Sequence, residues 1–124
     1  GLARNGSFGD AAGVLLGAVR ENPNNADAWL AMGNDLVAHA EGTLTPAAEY
    51  AYARARAADP AHPGPDFFRG LALATNGKLD EGREAWAALL DRSPKDAPWR
   101  ADLEARLARL DAFIASREAA AQPR

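Results

Sequence analysis

Apolar residues in this chain return at steps of three and four, the period of a helix buried along one face. Trp29, Met32 and Leu36 keep that spacing, and so do Trp99, Leu103, Leu107, Leu110 and Ile114. Three polar, proline-bearing clusters separate the periodic stretches: Asn22-Pro23-Asn24-Asn25, the segment from Asp59 to Pro65, and the segment from Ser93 to Pro98. Proline cannot continue a helix and restricts the residue before it, so each cluster ends one helix before the next begins. The pattern predicts helices over 8–21, 27–40, 46–58, 65–76, 79–92 and 97–117. Asn5-Gly6 and Asn76-Gly77 read as tight turns between helices, glycine supplying the positive φ that ends the first of each pair. Between the second and third helices that turn is replaced by Glu41-Gly42-Thr43-Leu44-Thr45-Pro46. There Thr45 reads as an N-cap, with Pro46 at the first helical position.

One spacing is written three times: small, three residues, bulky, two residues, small or apolar, four residues, proline. It appears as Ala11, Leu15, Ala18, Pro23; as Ala48, Tyr52, Ala55, Pro60; and as Gly82, Trp86, Leu89, Pro94. Pro60 and Pro94 are 34 positions apart, and the preceding interval is longer by the three residues of the extended turn. A 34-residue period with these steps resembles a tetratricopeptide (TPR) array. The expected fold is therefore all-α, a TPR helical-hairpin solenoid closed by a C-terminal capping helix. One domain is expected over 1–117, made of a partial repeat at 1–25, a repeat at 26–62 with the three-residue insertion, a repeat at 63–96 and the capping helix at 97–117. Residues 118–124 have nothing to bury and are expected to form a disordered tail.

Within the repeats, Gly33 lets a neighbouring helix approach while Trp29, Met32 and Leu36 fill the space between, and Gly70 and Leu73 hold the matching places one repeat later. Asp66 and Arg69 stand where bulky apolar residues are usual, and Phe67 and Phe68 must compensate. Gly1 and the incomplete first repeat predict a portion of a longer protein, with any anchor or address in its missing N-terminal part. The first helix is expected to leave parts of Phe8, Leu15, Leu16 and Val19 uncovered, an edge that self-association would cover.

Composition narrows the function. A net charge of −3 and a pI near 5.3 argue against a general nucleic-acid binder, which needs segregated positive charge to displace counterions. Cysteine is absent, which removes disulfides, thiol chemistry and covalent haem attachment by this chain. No apolar run has the length to cross a bilayer, so no membrane contact is expected of this portion. His39 and His62 lack a second ligand at metal spacing and read as surface or capping residues. Asp80, Glu81 and Glu84 open a helix, where carboxylates favour the positive end of the dipole. Asn5-Gly6-Ser7-Phe8-Gly9 lacks the Gly-Lys-Ser/Thr of a phosphate loop, and Ser7, Ser93 and Ser116 lie at loops or ends without a nucleophile motif. Arg106, Arg109 and Arg117, with Asp102 four residues before Arg106, read as a solvated mixed-charge face. No catalytic, metal or cofactor site is expected, and the chain reads as a binder rather than an enzyme.

In a TPR array the first helix of each pair lines a groove, at positions alternating with the packing residues. Those positions are Leu30, Asn34 and Val37 in one repeat and Phe67, Leu71 and Ala74 in the next. An apolar strip with one amide suits an amphipathic helix anchored at i, i+3/i+4 and i+7.

The chain also resembles a narrower group, the C-terminal domain of bacterial c-type cytochrome biogenesis factors (the CcmI/CycH/NrfG group). The resemblance spans about Glu21 to Leu110. It rests on Asn22-Pro23, Trp29 and Gly33; on Glu41-Gly42 and Thr45-Pro46-Ala47-Ala48; on Asp59-Pro60 and Pro63; on Gly70-Leu71-Ala72; on Trp86 with Leu89-Leu90; and on the closing Ala97-Pro98-Trp99. It implies a periplasmic domain of a membrane-anchored protein that holds apocytochrome c, largely by a C-terminal helix, and presents it to the haem-ligation machinery. Leu30, Asn34, Val37, Phe67 and Leu71 are then the first places to look for the client. The alternative is a general TPR scaffold whose partner is another folded protein.

Overall fold

The computed structural model describes residues 13–122, which contain six helices and no strand. They are α1 over 13–21, α2 over Ala26–His39, α3 over Pro46–Ala58, α4 over Gly64–Thr75, α5 over Leu79–Arg92 and α6 over Arg100–Ala121. The Asn5-Gly6 turn, Phe8 and the start of the expected first helix lie outside the described residues.

Local chemistry sets the ends. The Asn25 side chain accepts the Ala28 N–H at 3.0 Å, and Thr45 Oγ1 accepts the Ala48 N–H at 3.2 Å ahead of Pro46. Asp80 and Glu81 lie in the first turn of α5. Helix α4 closes with a Schellman arrangement: Lys78 N–H reaches Leu73 O at 2.9 Å and Gly77 sits at φ +84°. Helix α2 closes the same way, Gly42 N–H reaching Val37 O at 2.8 Å, but the left-handed residue after its C-cap is Glu41, at φ +57°. Arg100 serves α5, donating to the carbonyls of Leu90 and Ser93 at 3.1 and 3.0 Å.

Helices α2 and α3 pack as one hairpin and α4 and α5 as the next, with α6 against α5 and α4 also meeting α2 and α3. Both hairpins use one contact, a glycine under a large ring. A Cβ at Gly33 would stand 2.6 Å from the Tyr52 ring, and one at Gly70 would stand 2.6 Å from the Trp86 indole. Val19, Trp29, Ala51 and Ala55 form one core, and Trp86, Leu89, Leu103 and Leu110 the other. The departures at Asp66 and Arg69 are met by ion pairs. Asp66, only 8% exposed, takes Arg56 at 2.9 Å and also Arg92, tying α3 and α5 to α4. Arg69 donates to Glu49 at 2.5 Å, a bond that raises its pKa above the ordinary value.

Two expectations are corrected. Val19 is buried, at 3% exposure, within the core cluster that holds Ala28, Trp29 and Ala51, whereas Leu16 is exposed as expected, together with Val14. The last helix starts at Arg100 rather than 97, since Ala97-Pro98-Trp99 forms a turn, with Arg100 N–H on Ala97 O at 3.1 Å. It runs to Ala121, so 118–121 are helical rather than disordered. These residues are exposed, and strong alanine propensity rather than burial extends the helix.

Candidate functional site

Helix α4 lies between α2 and α6, and the surface these three share is a chain of apolar depressions. The first, of about 260 Å³, is walled by Leu30 of α2, Phe67 and Phe68 of α4, and Trp99 and Leu103 at the start of α6. The second, of about 370 Å³, is lined by Asn34, Val37, Phe68, Leu71 and Thr75. The third, of about 290 Å³, lies between α4 and α6, with Ala74, Thr75, Trp86, Arg109 and Phe113 around it. Phe68 lines the first two and Thr75 the last two, so the three depressions adjoin along α4 as a segmented trough.

The six expected groove residues are distributed along it rather than gathered in one pocket. Leu30 and Phe67 are in the first depression, Asn34, Val37 and Leu71 in the second, and Ala74 in the third. Leu30, Phe67, Leu71 and Ala74 are half-buried and pack on the cores with their other side. Phe67 stacks parallel to Trp86 at 5.5 Å, and the Arg106 guanidinium lies over the Phe67 ring at 5.3 Å. Asn34 has its amide oxygen engaged, accepting the Tyr52 hydroxyl at 2.7 Å. Burial pushes the Tyr52 phenol up to about 12.

Each wall is fixed by polar contacts beneath it. Trp99 donates its indole N–H to Ser93 Oγ at 2.9 Å, while that hydroxyl donates to Leu89 O at 2.6 Å. Trp86 donates to the Phe67 carbonyl at 3.0 Å. His62 holds the mouth of the first depression. Its Nδ1 accepts the Gly64 N–H at 2.9 Å, which leaves the proton on Nε2 to be donated to Asp27 at 2.8 Å. That is the capping role its position suggests.

Sequence reasoning missed Trp99, Leu103, Arg109 and Phe113 as trough residues. Trp99 and Leu103 lie on the packing stripe of the last helix and also line the first depression. Phe113 stands one position off that stripe and is 50% exposed. An aromatic residue beside, rather than on, a buried stripe was the signal available.

Elsewhere, α3 and α5 frame a polar cavity of about 670 Å³ that contains the paired Glu49, Arg56, Asp66, Arg69 and Arg92. Among the described residues no group of His, Cys, Asp or Glu is placed to hold a metal, and no helix is long and apolar enough to cross a membrane. The trough offers shape and apolar surface.

No family model matches the chain. It is 32% identical over 109 residues to a Bradyrhizobium diazoefficiens protein named cytochrome c-type biogenesis protein CycH, an alignment covering 88% of this chain and 30% of that protein. A Rhizobium meliloti protein of the same name is 39% identical over 77 residues, covering 62% of this chain and 20% of the relative. The chain thus spans less than a third of the length of these relatives. The aligned stretch is thus similar to part of proteins named for cytochrome c-type biogenesis.

Proposed function

We propose that this chain is the client-holding TPR domain of a cytochrome c biogenesis factor, and that the α2–α4–α6 trough receives a helix of apocytochrome c before haem attachment. The observation that carries the reading is the adjacency of the three apolar depressions along α4. Phe68 lines the first two depressions and Thr75 the last two, which sets the three in succession to take the apolar side chains of an amphipathic helix. Similarity to proteins named for cytochrome c-type biogenesis supports a client drawn from that process. The repeated contacts of Gly33 with Tyr52 and Gly70 with Trp86 support the TPR reading of the two hairpins. In this account the domain works in the periplasm, tethered through the rest of its protein to the inner membrane, and hands its client to components of the haem-ligation complex. Its own residues bind and orient, and the thiols that receive haem belong to the client.

Titration of the chain with a synthetic apocytochrome c C-terminal helix tests this. Saturable binding weakened by Phe68→Ala is expected, with a loss of about 1–2 kcal/mol for an apolar anchor. No saturable binding below millimolar concentration, or binding indifferent to Phe68→Ala, contradicts it.

A further inference from the structure

The charge around the trough is uneven. The chain as a whole is acidic, at −3, yet arginines gather where the trough leaves α4 for α6. Arg106 leans over Phe67 at 5.3 Å, and Arg117 lies over the exposed Phe113 ring at 5.9 Å. Arg106 is partly neutralised by Asp102 at 2.7 Å. Arg109, beside the third depression, forms no hydrogen bond or ion pair among the described residues. The mixed-charge face suggested by the sequence is therefore paired at Arg106 but not at Arg109.

We infer that the segment seated in this trough is an amphipathic helix whose apolar stripe is edged by carboxylates, and that Arg109 and Arg106 receive those carboxylates at the third depression. The inference rests on the trough being a docking site and specifies the chemistry of its occupant. Apolar contact with Ala74, Trp86 and Phe113 supplies burial there, while the guanidinium groups at the margin select the sign of the guest's flank. A basic flank would meet the unpaired Arg109, while the nearby carboxylates of Asp102 and Asp111 are already engaged by Arg106 and Arg83. Charges at a half-exposed rim are screened by salt, so the selection is strongest at low ionic strength.

Two synthetic helices with an identical leucine stripe, one flanked by glutamate and one by lysine, test it by calorimetric titration of the full chain. At low salt the glutamate helix should bind about five- to tenfold tighter, and 0.5 M salt should erase most of the difference. Arg109→Gln should shrink the preference and Arg109→Lys should retain it; because Arg109 is exposed and makes no hydrogen bond or ion pair among the described residues, both variants should keep the helix content of the parent chain by circular dichroism. Equal affinities, a preference for the lysine helix, or a preference unaltered by Arg109→Gln overturns the inference while leaving the trough as a docking site. Failure of both helices to bind overturns the docking site and the inference together.

Discussion

The Tyr52 hydroxyl, on a side chain only 1% exposed, donates to the amide oxygen of Asn34 across the first hairpin at 2.7 Å. The bond fixes a trough residue from beneath, joining the packing of α2 on α3 to the shape of the second depression. Asn34→Ala would strand a buried hydroxyl, whereas Tyr52→Phe removes the hydroxyl and leaves the amide facing the trough. Chemical denaturation should therefore show the larger loss for Asn34→Ala, about 1–3 kcal/mol, against about 1 kcal/mol for Tyr52→Phe. Equal or reversed losses would mean that the bond contributes little to this packing.

Tyr52 also predicts an alkaline limit. Its folded pKa of about 12 lies above the ordinary value of 10.0, so the neutral form is favoured by folding. The corresponding stability is fully present below pH 10 and is lost as pH rises toward 12. Phenolate absorbance should show one tyrosine ionising near pH 12 together with loss of helix, and Tyr52→Phe should remove that step. Ionisation of every tyrosine near pH 10 with the helices intact would be inconsistent with this burial.

The close approach of the hairpin helices at Gly70 makes a steric prediction. A methyl group there meets the Trp86 indole at 2.6 Å, in a ring also stacked on Phe67. Gly70→Ala should cost about 1–3 kcal/mol and disturb the first depression through Phe67. A melting temperature unchanged from the parent chain would show that the packing is looser than described.

Glu41 predicts a gain. It occupies the left-handed region at φ +57°, where a side chain is disfavoured, directly after the C-cap of α2. Glu41→Gly should raise stability by about 0.5–1 kcal/mol, because relief of the strain exceeds the added freedom of the unfolded chain. Thermal denaturation decides the sign, and a lowered midpoint would contradict the strain.

Much of this was legible in the sequence because helix pairing is written in short-range chemistry. Thr45-Pro46 begins a helix, Asn76-Gly77 ends one, and Gly33 marks a close approach of helices, although the Tyr52 ring that meets it is seen only in the structure. What depended on long-range placement was not. A 3.6-residue period does not decide between neighbours, and so it did not assign Phe67 to the Trp86 stack or make Phe68 the shared wall of two depressions. The roles of Asp66 and Arg69 required knowing that Arg56, Arg92 and Glu49 arrive from adjacent helices. Val19 appeared to be an edge residue until its contact with Trp29 was visible, and Phe113 became a trough residue only through the placement of α6 beside α4.

The most direct measurement is site-specific photo-crosslinking to apocytochrome c, with the reactive group placed at Thr75 in the trough or at Ala88 on the α3–α5 side. The account predicts an adduct from Thr75, competed away by the apocytochrome C-terminal helix, and none from Ala88. Adducts from Ala88 alone, or an adduct at Thr75 that the helix does not displace, would contradict it.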